Sequence, residues 1–134
     1  MKKINYLMTF SLILIVIIIS SCNNSDNPPV DGKVTKLLLD QEKTIGIEQC
    51  DSRDLTGKYI MIESTYCPHC ANVKPILEEI SKEQNINFIF LNTAEDRNEL
   101  DNYGIEIKYT PTLIFNCQVI IGERDKSYYE QFIK

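Results

Sequence analysis

Residues 7 to 19 are almost wholly apolar, interrupted only by Thr9 and Ser11. A helix of that length rises about 20 Å, short of the roughly 30 Å hydrocarbon core of a bilayer. With Met1-Lys2-Lys3 before it, the run predicts a secretory signal peptide rather than a spanning helix. Residues 23 to 32, Asn-Asn-Ser-Asp-Asn-Pro-Pro-Val-Asp-Gly, have almost nothing to bury and read as a tether. The pattern changes after residue 33. Val34 to Leu39 predicts a strand, and the rest of 33 to 56 carries no clear period. Tyr59 to Glu63 predicts a second, short apolar strand. Val73, Ile76, Leu77 and Ile80 then recur at helical spacing, with Glu78, Glu79, Lys82 and Glu83 as the wet face and Asn85 as the stop. Ile86 to Leu91 predicts a strand apolar enough to be buried on both faces. Asn92-Thr93 offers a helix cap, Glu95 and Asp96 suit the first turn, and Tyr103-Gly104 ends that helix. Pro111 to Phe115 and Val119 to Ile121 predict two strands joined tightly at Asn116-Cys117-Gln118. Asp125 to Lys134 predicts a last helix with Tyr128, Tyr129, Phe132 and Ile133 on its apolar side. The order is β-α-β-α-β-β-α, an α/β domain with an N-terminal extension.

Composition narrows this picture. The chain has 134 residues, enough for one small domain plus an appendage. Hydrophobic residues at 43% and charged residues at 25% are ordinary for a globular protein and argue against disorder. The net charge is −5, and loss of Lys2 and Lys3 with the leader makes it −7. Such a surface lacks the clustered cations that nucleic acid requires, so no nucleic-acid partner is expected. A single histidine excludes a His-rich metal centre. Five cysteines are the informative excess.

Ile19-Ser20-Ser21-Cys22 directly follows the apolar run and resembles the lipobox of bacterial lipoproteins. The resemblance implies cleavage before Cys22 and lipidation of its sulfur. The expected organisation is then a signal peptide over 1–21, a lipidated tether over 22–32 and a folded domain over 33–134. An uncleaved N-terminal anchor, with Cys22 incidental, is the alternative. Either reading exports the chain to a compartment where disulfides persist; a lipid anchor would hold it on the outer face of the bacterial cytoplasmic membrane or on the periplasmic face of a membrane.

The candidate chemistry lies at Cys67-Pro68-His69-Cys70, between the first core strand and the amphipathic helix. Two cysteines at this spacing can close a disulfide within one helical turn. The first would sit at the helix N-terminus, where unpaired N–H groups and the dipole favour a thiolate. Pro68 suits the first helical position. Cys70, one turn in, would be more buried and able to resolve a mixed disulfide. His69, when protonated, would add positive charge beside the thiolate, and both effects favour the dithiol form. The same spacing is half a zinc site. Zinc requires further ligands, and Cys50 and Cys117 are isolated with no second histidine, so no metal and no organic cofactor are expected.

Cys67-Pro-His-Cys-Ala-Asn-Val-Lys-Pro75-Ile-Leu-Glu-Glu-Ile80 resembles the active-site helix of the thioredoxin family, Pro75 matching the proline that kinks it. Tyr103-Gly104-Ile105 and Pro111-Thr-Leu-Ile-Phe115 resemble later thioredoxin stretches. The Pro-His dipeptide is similar to that of DsbA-type oxidants. Thr65-Tyr66 is similar to glutaredoxins, and Asp54-Leu55-Thr56-Gly57-Lys58 to the lead-in of membrane-tethered TlpA-like proteins. The resemblance covers roughly residues 54 to 122. It implies a thioredoxin-like fold with a mixed four-stranded sheet and a thiol–disulfide oxidoreductase, whose direction the sequence does not set. Its partners would be protein thiols or disulfides and a membrane redox protein. It also implies that Pro111 is a cis proline packed on the active-site disulfide, with Thr110 presenting its backbone to an extended substrate. A binding module on the same scaffold, carrying a metal or a thiol client without turnover, is the alternative function.

Several positions depart from the family pattern. Tyr66 stands where a tryptophan is frequent, and Met61 where a buried acid is. Glu63, two residues on, would share Met61's face and is a candidate for proton transfer to Cys70; a rim or salt-bridged carboxylate is the competing reading. Two extra residues precede Pro111, altering the substrate-facing loop. Cys117 occupies a turn where glycine is common. In the implied fold the third core strand returns to the pole where the first begins. Cys117 would then lie opposite Cys67, within reach of Cys50, and a structural Cys50–Cys117 disulfide is expected there. Two buried, unpaired cysteines or a second redox pair are the alternatives.

Overall fold

A computed structural model describes residues 35–133 of the chain. The signal peptide, Cys22 and the tether expected over residues 1–32 lie outside the described residues, as does Val34.

The centre of the fold is β3 (Tyr59–Glu63). Ile60, Met61 and Ile62 are fully buried in succession, so the strand is covered on both faces. β3 pairs in parallel with β4 (Phe88–Asn92) and antiparallel with β6 (Thr112–Phe115). β6 continues antiparallel to β7 (Gln118–Ile121). The β6–β7 turn has only Asn116 and Cys117 between its strands, at φ 46° and 73°. A two-residue hairpin of this hand needs positive φ at both central residues.

β7 also pairs with β2 (Lys43–Thr44), which adds a fifth strand where four were expected. A second, two-stranded parallel sheet joins β1 (Leu37–Leu39) to β5 (Ile105–Ile107). Strands of two and three residues are too short to show a period, which is why β2 and β5 escaped the sequence pattern. The short helix α1 (Ile47–Asp51) escaped it for the same reason. The Arg53 guanidinium ties this N-terminal segment together, donating to Gly104 O at 2.7 Å and Thr35 O at 3.0 Å.

Helix α2 (Pro68–Gln84) carries the expected stripe and buries Cys70, Val73, Leu77 and Ile80. Asn85, in the left-handed conformation at φ 53°, ends it. Helix α3 (Arg97–Asn102) starts later than expected. The Asn92 side chain accepts from Ala94 N–H and the Asp96 carboxylate from Asn92 N–H, so residues 93–96 turn before the helix begins. Helix α4 (Lys126–Glu130) is capped by Asp125, whose carboxylate accepts from Tyr128 N–H at 2.8 Å.

The sheet separates two cores. Met61, Leu113, Phe115 and Ile120 pack against Cys70, Val73, Leu77, Ile80 and Tyr129 of α2 and α4. On the other face Ile60, Ile62, Ile114 and Val119 meet Leu39, Ile45, Cys50, Leu55, Leu100, Tyr103 and Ile105. A mixed sheet thus lies between two packed layers, the α/β arrangement that the resemblance implies.

Candidate active site

Cys67 is the N-cap of α2. Its extended backbone (φ −102°, ψ 101°) lets the chain turn into the helix, and Pro68 takes the first helical position, where its missing N–H goes unneeded. The Cys67 and Cys70 sulfurs are bonded at 2.10 Å, and Cys67 Sγ also accepts the Cys70 N–H at 3.1 Å. The two differ in access. Cys70 is 2% exposed, whereas Cys67 is half-buried and follows Tyr66, which is 94% exposed. A sulfur at the end of a 17-residue helix faces orphan N–H groups and the positive dipole end, which stabilise a thiolate when the bond opens.

The β5–β6 loop reaches the same end of the sheet. The Thr110–Pro111 peptide is cis and Pro111 is buried. Ile62 of β3 pairs with Thr112, so Pro111 lies level with the last residues of β3, which lead into Cys67. The Ser64 and Thr110 hydroxyls meet at 3.2 Å, and Thr112 Oγ1 donates to Tyr109 O at 2.6 Å. Gly122 N–H donates to Pro111 O at 2.9 Å, fixing the end of β7 to the same loop.

His69 is exposed, and its Nδ1 lies 2.7 Å from Glu123 Oε2. The other Glu123 oxygen accepts from Asn72 Nδ2 at 3.1 Å. These bonds, His69 first and Asn72 second, hold the Glu123 carboxyl below the usual carboxylate range. Sequence reasoning named neither Glu123 nor Asn72. Glu123 reaches His69 only because β7 returns to the level of Pro111, a relation that no local pattern carries.

Glu63 shares the α2 face with Met61, and its carboxylate meets Lys74 Nζ at 3.0 Å. Lys74 in turn lies 5.0 Å over the Phe90 ring. The structure thus gives Glu63 a cationic partner on α2.

Cys50 and Cys117 sit at the opposite end of β3. Their sulfurs are bonded at 1.97 Å with Cα atoms 5.8 Å apart, and they are 0% and 6% exposed. Asn116 N–H donates to Lys58 O and Gly57 N–H to Asn116 Oδ1, both at 2.8 Å, which docks the hairpin beneath the start of β3. Among the described residues no group of three or more His, Cys, Asp or Glu side chains could hold a metal ion. No helix among them is long and apolar enough to cross a membrane.

Residues 56–134 match the family model of thioredoxin. Among solved structures, the chain is similar to a thioredoxin of Fasciola hepatica at 16% identity, over 63% of this chain and 86% of that one, with a TM-score of 0.42. It is similar to a thioredoxin of Malassezia sympodialis at 20% identity, over 72% and 93%, with a TM-score of 0.44. It is also similar to the first two thioredoxin domains of Saccharomyces cerevisiae Eps1p at 25% identity, over 67% and 39%, with a TM-score of 0.37.

Proposed function

Because the chain belongs to the thioredoxin family, we propose that it is an exported, membrane-anchored thiol–disulfide oxidoreductase working through Cys67 and Cys70. The observation that carries this reading is the Cys67–Cys70 disulfide at the N-terminus of α2, one sulfur accessible and the other buried.

In the reductive direction the Cys67 thiolate attacks a substrate disulfide. One substrate sulfur leaves as a thiolate and the other is held in a mixed disulfide with Cys67. Cys70 then attacks Cys67 Sγ, releasing the second substrate thiol and closing the Cys67–Cys70 bond. In the oxidative direction a substrate thiolate opens Cys67–Cys70 by attack at Cys67, and a second substrate thiol resolves the complex. The potential of the pair against that of its partner decides which direction runs. Thr110 and Pro111 lie at the same end of the sheet as Cys67, and we assign to them the backbone that an extended substrate peptide would meet. The electrons pass to or from a second protein, which we assign to the membrane because of the anchor expected at Cys22.

The test is turnover. The purified chain should reduce a disulfide substrate when a reductant regenerates it, or speed oxidative refolding of a reduced protein. Cys67→Ser should abolish both. A carrier on the same scaffold would bind a soft metal or a thiol client through Cys67 and Cys70 without turnover in either assay.

A further inference from the structure

We propose that Glu123 is a positioning residue for the redox centre: it holds the His69 ring while Cys67 and Cys70 are bonded, gives the ring up to the Cys67 thiolate when that bond opens, and so makes the pair less oxidising. The proposal rests on the redox role of Cys67 and Cys70 argued above.

Glu123 is delivered to His69 by its neighbours. On one side Gly122 N–H is bonded to Pro111 O at 2.9 Å; on the other Arg124 N–H is bonded to the hydroxyl of buried Tyr129 at 2.8 Å. Glu123 therefore projects from a short span anchored at both ends to the cis-proline loop and to α4. It meets α2 at its first turn, taking His69 Nδ1 on one oxygen and Asn72 on the other. The other charged groups lining this cleft are engaged elsewhere. Arg124 pairs with Glu42 at 2.9 Å and with the Glu123 carbonyl at 2.9 Å, and the Asp125 carboxylate caps α4. Glu123 is the carboxylate left to His69.

The consequence follows from counting partners. In the disulfide state the sulfurs are neutral, and a protonated His69 has Glu123 as its anion. In the dithiol state the Cys67 thiolate, at the cap of the helix whose first turn carries His69, is a second anion for the same ring. The ring serves one fully only by weakening its bond to the other. Glu123 thus stabilises the disulfide state by an interaction that the dithiol state partly gives up. A Pro-His dipeptide, which on its own favours the dithiol, is restrained here by a residue distant in sequence.

The experiment measures the equilibrium of the full-length chain, purified in detergent, with reduced and oxidised glutathione at pH 6 and pH 7. Two glutathione thiols give up two electrons and two protons and leave as glutathione disulfide. The electrons open Cys67–Cys70, one proton stays on Cys70, and the other goes to water where Cys67 remains a thiolate. Glu123→Gln should shift this equilibrium towards the dithiol by about two- to fivefold, the range of a partly exposed charge pair. In a His69→Ala background the same substitution should shift it less, and Glu123→Asp should return it towards the parent value. No shift on Glu123→Gln would overturn the proposal. An equal shift with and without His69 would do so as well, because the carboxylate would then act through its own field. If the parent chain does not equilibrate with glutathione at all, the redox role itself fails and this inference falls with it.

Discussion

Pro68 and Cys70 between them determine which sulfur meets a partner. Pro68 starts the helix immediately after Cys67, leaving that sulfur at the capping position, while the first turn carries Cys70 inward against Met61 and Val73. After reduction the outer sulfur is both the more accessible and the one facing the helix N-terminus. Alkylation with a limiting amount of iodoacetamide at pH 6 should therefore label Cys67 before Cys70. Peptide mapping that recovers Cys70 as the first adduct would reverse the assignment of nucleophile and resolving thiol. Glu63 shows how a residue's role depends on what lies across from it: Lys74, eleven positions away, holds its carboxylate at 3.0 Å.

At the scale of elements, α4 is held to α2 by charge as well as by apolar contact. Lys126 Nζ reaches Glu79 at 2.8 Å and Glu83 at 2.6 Å, above the buried Tyr129. The Lys126 bond holds the Glu79 carboxyl below its ordinary value of 4.5, and the Tyr128 N–H holds Asp125 below 3.8. Glu123 is lowered in the same sense by His69. A carboxyl with a depressed value in the folded state stabilises the fold fully above its ordinary value and loses that contribution as pH falls through the folded one. Lys126 is raised, so its share is complete below the ordinary lysine range and is lost only as the solution becomes strongly alkaline. Acid therefore acts through the carboxylates. The urea midpoint should fall as pH drops below about 4.5, and Glu79→Gln should flatten part of that fall. A midpoint level between pH 5 and pH 3 would contradict this. At this scale the sequence was most legible where burial was long and periodic: the stripe Val73, Ile76, Leu77, Ile80 and the apolar runs of β3, β4 and β6. It was least legible where an element exists only through a distant partner. Lys43–Thr44 is a strand because β7 offers an edge, and Glu123 belongs to the site because β7 ends beside Pro111.

At the scale of the whole molecule, the two disulfides lie at opposite ends of β3, and their burial sets them apart. The Cys50–Cys117 bond joins residues 67 positions apart, worth about 4 kcal/mol in the chain-entropy account. Replacing both residues by Ala should lower unfolding free energy by roughly that amount, and a loss under about 1 kcal/mol would count against a structural role. The anchor proposed at Cys22 has its own test at this scale. Cys22→Ala should leave the precursor unprocessed or release the chain from the membrane fraction. Protein of mature size still in the membrane would rule the lipidation out.

The match to the family begins at residue 56, but the second core does not. Leu39, Ile45, Cys50 and Leu55 lie upstream of that point and are 0%, 3%, 0% and 0% exposed. Burying a side chain of this size contributes about 1.5–3 kcal/mol, so these few residues supply a sum comparable to the whole stability of a small domain, roughly 5–15 kcal/mol. A boundary drawn from similarity thus cuts through material that burial holds together. A fragment starting at residue 56 would take Leu39, Ile45, Cys50 and Leu55 from the core they share with Ile60, Ile62, Ile114 and Val119, leaving that side of the sheet only partly covered by Leu100, Tyr103 and Ile105, and it should aggregate on expression. A fragment starting at residue 35 should stay in solution and give a cooperative melt. Soluble, cooperatively folding protein from the shorter piece would mean that the upstream segment only decorates the fold; its failure would make residues 35–55 the part of the domain by which this chain departs from the minimal family unit.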